Sequence, residues 1–312
     1  MGHRRIWLAS VLAALCIVAL AACGSSSSNS SSNTTASSPS TSSSTSTPSS
    51  TAGNPSVEAL VPASIKSKGT LTVAADASYA PNEFFASDGK TVIGMDPDLV
   101  KALGAVMGLK VNVVNATFDS IIPGLAAGKY DMGASSFTDT KAREKTVDFV
   151  DYFEAGESFF TKASGGVSIS GISDICGKTV AVEKATTEEQ DAGTQGAKCK
   201  KAGKPGVTVL VFPDQNGANL ALASGRAQLG FADSPVAAYQ VKKSNGQFKL
   251  VGAAYAIAPY GLAMPKNGLA KAVLAALKVV MQNGQYQAIL QKWGLTSGAI
   301  SPSAVKINGA TS

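Results

Sequence analysis

Between Ala134 and Phe149 the chain reads ASSFTDTKAREKTVDF, which sets hydroxyls at Ser135, Ser136, Thr138 and Thr140 just ahead of Arg143. The pattern predicts a helix that starts at Arg143. A cation in a first helical turn faces the positive end of the macrodipole and costs a few tenths of a kcal/mol unless an anion offsets it. Such a position asks for an anionic partner. The alternative for Arg143 is a surface pair with Asp139 or Glu144. A second chemical position is Asp233, which closes the apolar run QLGFAD and precedes SPVAAYQV. There a carboxylate is placed to cap the helix.

Other chemistries are excluded. The 312 residues include one histidine, His3, inside MGHRRIWLASVLAALCIVALAAC. That opening has a basic start at Arg4 and Arg5, an apolar run and small residues before Cys23, and it reads as an export signal over residues 1–22. Its ending, LAAC, resembles a lipobox, so Cys23 is expected to be lipidated and to become the mature N-terminus. An uncleaved anchor helix is the alternative. Without His3, Ser/His/Asp or Cys/His catalysis and histidine-based zinc sites are unavailable to the mature chain. The triplets Gly89-Lys90-Thr91 and Gly177-Lys178-Thr179 have Phe84 and Ile172 where a P-loop needs glycine. They read as turn-to-strand junctions, and GxSxG and GxGxxG are absent. No metal and no cofactor are expected.

The formal charge of +6 falls to 25 minus 21, or +4, once Arg4 and Arg5 leave. The lysines of KCKKAGK (198–204) lack aromatic interleaving, so no nucleic-acid partner is expected. After Cys16 and Cys23 are assigned to the signal and the lipid, Cys176 and Cys199 remain and read as one disulfide of an exported protein. Two buried free thiols are the alternative. Residues 25–52 hold 22 Ser or Thr in 28 positions and carry no charge. Such a segment cannot bury a core, and residues 23–56 are read as a lipidated tether.

These residues must be positioned by a body that runs from Val57 to the end. Short apolar runs alternate with helical periodicity: TLTVAA, then DPDLVKALGAVMG with Leu99, Leu103, Val106 and Met107 on one face, then KVNVV, a helix from Asp119, and DMGAS. After residue 164 the pattern restarts with KTVAV, a helix from Thr187, VTVLVF, a helix from Asp214, QLGFAD and a helix from Ser234. From Ile257 a strand, IAPYGLAM, leads to two helices that include Trp293. Strand and helix alternation implies parallel sheet in each half.

The segments GTLTVAADASYAP, GMDPDLVKAL, FDSIIPGLAAGKYD, SSFTDTKAREKTVDF, GKTVAVEKATTEEQ and QYQAILQKWG together resemble the polar amino-acid binding proteins of ABC importers, solute-binding family 3. Met95, Pro97 and Gln228 depart from its usual pattern beside, and not at, the ligand positions. The resemblance implies an α/β fold of two lobes in the type II periplasmic-binding-protein manner, each lobe a sheet flanked by helices. Lobe 1 would be 57–163 plus 257–312 and lobe 2 would be 164–256, with crossings near 161–165 and 254–258. It further implies that Arg143 binds the α-carboxylate of an amino acid in the cleft, helped by the Thr138 hydroxyl and a Thr187 backbone N–H. The Ser136 carbonyl and Asp233 would bind the ammonium. Tyr79 and Phe118 would wall the ligand side chain, and Asp76 and Glu188 would recognise it. Outside the resemblance, an isolated aromatic is core and the two acids could be solvated.

The expected function is therefore an extracytoplasmic binding subunit, not an enzyme, that captures a polar or cationic amino acid by closure. It would be a monomer, lipid-anchored to the outer face of the cell membrane, and would hand its ligand to an ABC permease. A dehydratase-like or other lyase on the same scaffold, using a carboxylate as acid, and a ligand sensor for a membrane receptor are the alternatives.

Overall fold

The computed structural model describes residues 53–310. The expected signal, the lipid site at Cys23 and most of the tether lie outside them. Two short helices, α1 (Pro55–Glu58) and α2 (Ala63–Lys68), lead into β1 (Thr70–Ala75), followed by β2 (Ser78–Tyr79), β3 (Glu83–Phe85) and β4 (Val92–Ile93). Next come α3 (Met95–Val106), β5 (Lys110–Asn115), α4 (Phe118–Ala126), β6 (Met132–Gly133) and the long β7 (Asp148–Lys162). The second half runs β8 (Thr179–Glu183), α5 (Thr187–Lys201), β9 (Thr208–Phe212), α6 (Gln215–Ser224), β10 (Leu229–Asp233) and α7 (Ser234–Lys243). The chain returns through β11 (Phe248–Met264) to α8 (Leu269–Gln282) and α9 (Gln285–Trp293).

The strands pair in the order β5-β1-β6-β11-β7-β10-β8-β9. Parallel sheet is present in each half as expected: β5, β1 and β6 on one side, β10, β8 and β9 on the other. Between them β7 and β11 run antiparallel to each other and to their outer neighbours. The fold is α/β and two-lobed, and only this antiparallel pair passes through both lobes. Its register shifts between Val251 and Tyr255, between Tyr255 and Ala258, and again between Tyr260 and Gly261. Gly252 (φ 71°) and Ala256 (φ 51°) bend the backbone at the first two of these.

Apolar periodicity places the core. Leu99, Leu103 and Val106 on α3 meet Val273, Leu277 and Val280 on α8 over the face of the sheet. In the second half Phe159 and Phe231 stack at 3.9 Å within a cluster of Val180, Val182 and Leu229. Gly94, at the N-cap of α3, has φ 137°, and a Cβ there would collide with the Asn82 carbonyl. Glycine therefore lets the small β2-β3-β4 sheet close against α3.

Two expectations change. The helix predicted from Arg143 is a single 3₁₀ turn, Arg143–Lys145, because the chain enters β7 at Asp148. One turn has too few aligned peptides to make a macrodipole, so Arg143 carries no helix-end penalty. The strand predicted from Ile257 begins nine residues earlier at Phe248, drawn into extended form by β7. Its exposed first half carries no apolar alternation that would announce it.

Cys176 and Cys199 form a disulfide with a Cα–Cα distance of 5.6 Å, tying α5 to the 3₁₀ turn Ile172–Ile175. The sequence separation of 23 corresponds to about 3 kcal/mol of loop-closure entropy. Replacing both cysteines by serine is expected to lower Tm by roughly 6–12 °C, read by calorimetry.

Candidate functional site

The nine predicted ligand positions line one cleft: Asp76, Tyr79, Phe118, Ser136, Thr138 and Arg143 on one wall, Thr187, Glu188 and Asp233 on the other. Ser135, Glu183 and Thr186 complete the lining. The first wall is built at strand ends and helix starts. Asp76 follows β1 and accepts N–H bonds from Ser78 (3.1 Å) and Phe118 (2.9 Å), so it joins the strand end to the first residue of α4. Phe118 stacks on Phe137 at 4.4 Å. Arg143 lies across these rings, its guanidinium carbon 5.3 Å and 5.6 Å from the two centroids.

Among the described residues Arg143 has no ion pair. Its NH1 donates to the Thr138 carbonyl (2.8 Å) and its NH2 to the Ala185 carbonyl (2.9 Å). Of the two surface partners weighed for it, Glu144 pairs with Lys141, and Asp139 is buried and makes no ion pair with Arg143. Burial depresses the Arg143 pKa, with Glu188 and Asp233 acting in the opposite sense. The guanidinium thus spends two donors on neutral carbonyls and keeps its charge without a bonded anion.

The second wall comes from the N-termini of α5 and α7. Thr186 caps α5 by accepting the Glu189 N–H (3.2 Å), while Glu189 Oε2 accepts the Ala185 N–H (2.6 Å). This reciprocal arrangement holds Ala185 at φ 65° and aims its carbonyl at Arg143. Thr187 is the first helical residue, where an N–H lacks an intrahelical acceptor. Asp233 stands at the N-cap of α7 but makes no capping bond with its side chain. Tyr79 Oη donates to Asp233 Oδ2 (2.8 Å) and accepts the Asp233 N–H (3.0 Å). That bond, together with Lys184–Asp119 (2.7 Å), Gln215 N to Ser78 Oγ (3.1 Å) and Arg143 to Ala185, spans the cleft.

Asp76 and Glu188 are buried, at 4% and 2% exposure, so the solvated alternatives do not apply. Burial raises Asp76 against its backbone bonds, and burial with the Asp233 charge raises Glu188 to about 8. Asp233 rises to about 7, chiefly by burial and opposed by Tyr79. Burial and Asp76 push Glu183 well up. The lining therefore holds four carboxyl groups, Asp76, Glu183, Glu188 and Asp233, against one cation, Arg143. This arrangement suits a ligand with one anionic group and more than one cationic or hydrogen-donating group.

Glu183 escaped the sequence reading. The signal was its place as the charged last residue of the apolar strand TVAVE, at a strand C-terminus where ligands bind in α/β folds. Thr186 was legible as an N-cap, and Ser135 as one of the hydroxyls before Arg143.

A family model described as bacterial extracellular solute-binding proteins, family 3, matches residues 71–296. The chain belongs to this family. Among similar proteins, the arginine-binding protein ArgT of Corynebacterium glutamicum is 36% identical over 253 residues, which is 80% of this chain and 83% of that one. A solved ancestral arginine-binding protein bound to glutamine superposes with a TM-score of 0.67 at 35% identity, over 73% of this chain and 98% of its own. The ancestral amino acid-binding protein AncCDT-1, a precursor of cyclohexadienyl dehydratase, gives 0.66 at 34%, over 74% and 97%.

Behind the cleft this family member holds Ser135 and Ser136 on a buried carboxyl pair. Asp96 accepts the Ser136 N–H (2.9 Å) and the Tyr152 hydroxyl (2.6 Å). Glu83 lies within 3.2 Å of both serine hydroxyls, and Asn82 Nδ2 donates to Ser136 Oγ (2.8 Å). These bonds keep Ser136 in the left-handed region, φ 50°. Burial and Asp96 raise Glu83 well above the usual carboxyl range. A carboxyl raised by folding stabilises while protonated, and that contribution is lost as pH rises through the folded pKa. Glu83→Gln is therefore expected to keep wild-type stability at pH 5 and to exceed it at pH 9, by thermal unfolding at both.

Proposed function

We propose that this chain is the extracytoplasmic binding subunit of an ABC importer and closes on a polar or cationic amino acid. The observation that carries this reading is Arg143, a cation without an ion pair among the described residues, placed across the cleft from the uncapping carboxylate of Asp233. In this reading Arg143, the Thr138 hydroxyl and the Thr187 N–H bind the α-carboxylate, while Asp233 and the Ser136 carbonyl bind the ammonium. Tyr79 and Phe118 flank the side chain, which Asp76 and Glu188 recognise. The excess of carboxyl groups favours a side-chain cation and disfavours glutamate and aspartate. Relatives named for arginine support the same class.

The lobes expected as 57–163 with 257–312, and 164–256, are proposed here with the first boundary moved to about residue 156, so that 157–163 belong to lobe 2. Because residues 157–160 pair with β10, we place the crossing on β7 near 154–157, opposite 255–258 on β11. The chain binds without turnover in this reading, and it reaches the permease as a monomer. The motif ending at Cys23 supports export and a lipid anchor. None of the helices among the described residues is long and apolar enough to cross a membrane. Cys23→Ser is expected to shift the protein from the membrane to the soluble fraction, since an acyl anchor and not the apolar run would hold it.

Calorimetry across the twenty amino acids tests the ligand. Arg143→Ala leaves a desolvated carboxylate without its main donor and is expected to cost about 2–5 kcal/mol, thirty-fold or more in Kd. Asp233→Asn is expected to weaken binding as well. Mass analysis should return the ligand unchanged. Unaltered affinity in Arg143→Ala refutes the carboxylate role, and a converted ligand refutes the binding-only reading.

A further inference from the structure

Asp76 and Glu183, one carboxyl group from each wall, line the same cleft and interact with each other through their side chains. Asp76 is held by two backbone N–H groups, from Ser78 and Phe118, which suit its ionised form. Glu183 ends β8, is 2% exposed and meets Asp76, while its Oε1 has no hydrogen-bond partner. The titratable groups that act on the pair are Asp214 at the N-cap of α6, Glu188 in the first turn of α5, Glu83 on β3 and Tyr79. None of these brings a positive charge. Asp214 Oδ1 is already engaged with the Gly217 N–H (2.8 Å). Two ionised carboxyl groups in contact without a counter-charge repel strongly, more so when buried.

We propose that Asp76 and Glu183 form a two-carboxylate clamp, one arm on each lobe, that shuts only around a positive charge, and that Glu183 is thereby a specificity-determining residue. The charge is either a ligand side-chain cation or a proton taken from water. This deepens the amino-acid reading above and rests on it. A guanidinium fits well, because its planar fork donates to two carboxylates from two directions at once. A neutral urea of the same shape supplies donors but no charge. Closure on it leaves the pair facing each other unless Glu183, whose oxygen is unengaged, takes up a proton. The open, hydrated cleft does not hold that proton at neutral pH. Binding of the neutral ligand is therefore linked to proton uptake, and its affinity rises as pH falls, at most about ten-fold per unit. Binding of the cationic ligand needs no proton at this pair, and protons exchanged by Glu188 and Asp233 on closure are common to both ligands, so the clamp is read as the difference between them.

Arginine and citrulline are the two probes, titrated calorimetrically at pH 6, 7 and 8 in two buffers of different ionisation enthalpy. Wild type is expected to favour arginine by thirty-fold or more at pH 8. The gap should narrow at least five-fold by pH 6, with close to one more proton taken up per citrulline than per arginine bound. In Glu183→Gln the preference should shrink at every pH, and citrulline should bind with no more proton uptake than arginine and with an affinity ratio that no longer varies with pH. A wild type that binds both probes but takes up no more protons with citrulline than with arginine overturns the clamp, whatever the variant does. A folded Glu183→Gln, verified by its melting curve, that retains the wild-type ratio also overturns it. A wild type that binds neither arginine nor citrulline nor any other amino acid overturns the underlying ligand reading, and the clamp with it.

Discussion

The pairing of β7 with β11 is the constraint on which the molecule turns. Fifteen and seventeen residues long, these strands are paired over most of their length, and each lobe adds its parallel strands to one side of the ribbon. Backbone hydrogen bonds resist shear along a ribbon but allow twist and bending where register is lost. The irregularities from Val251 to Ala258 provide that place, with Gly252 and Ala256 at positive φ. Motion between lobes is thereby channelled into one direction, and side chains at facing strand ends return to the same partners on each closure.

Electrostatics then make closure conditional. The walls bring together four carboxyl groups and one guanidinium, and burial raises every one of those acids. The lobe-to-lobe bonds seen here are few: a tyrosine to a carboxylate, an arginine to a carbonyl, an N–H to a serine and one exposed ion pair. The neutral bond contributes about 1 kcal/mol, the two that involve a charged group about 1.5–3 kcal/mol each, and an exposed ion pair about 1 kcal/mol or less. They cannot by themselves offset clustered carboxylates, so a ligand that brings positive charge supplies what the protein omits.

Rigidity is placed where the ligand needs it. The loop at Ser135 and Ser136 rests on Glu83, Asp96, Tyr152 and Asn82, a buried network anchored to α3, β3 and β7. On the other wall the Thr186–Glu189 cap fixes Ala185 and the start of α5. Although the buried Asn82 Oδ1 lacks a partner, a polar network this densely bonded favours one geometry. The aromatic shelf of Phe118 and Phe137 does the same for Arg143, since a flat guanidinium held over rings has little rotational choice.

The sequence by itself determined the element types, the family and nine cleft positions, because apolar periodicity, caps and local motifs are written within a few residues of each other. The helix at Arg143 was misjudged for the same reason: local pattern cannot tell one 3₁₀ turn from the start of a helix when the strand that ends it is fixed by a distant partner. The first half of β11 was hidden because its extended form comes from β7, about ninety residues away, and not from its own alternation. Glu183 shows the limit most plainly. Its type and its strand-end position were legible, but its chemistry depends on Asp76, 107 residues earlier (183 minus 76), and only closure of two lobes around a shared ribbon brings those carboxyl groups into contact.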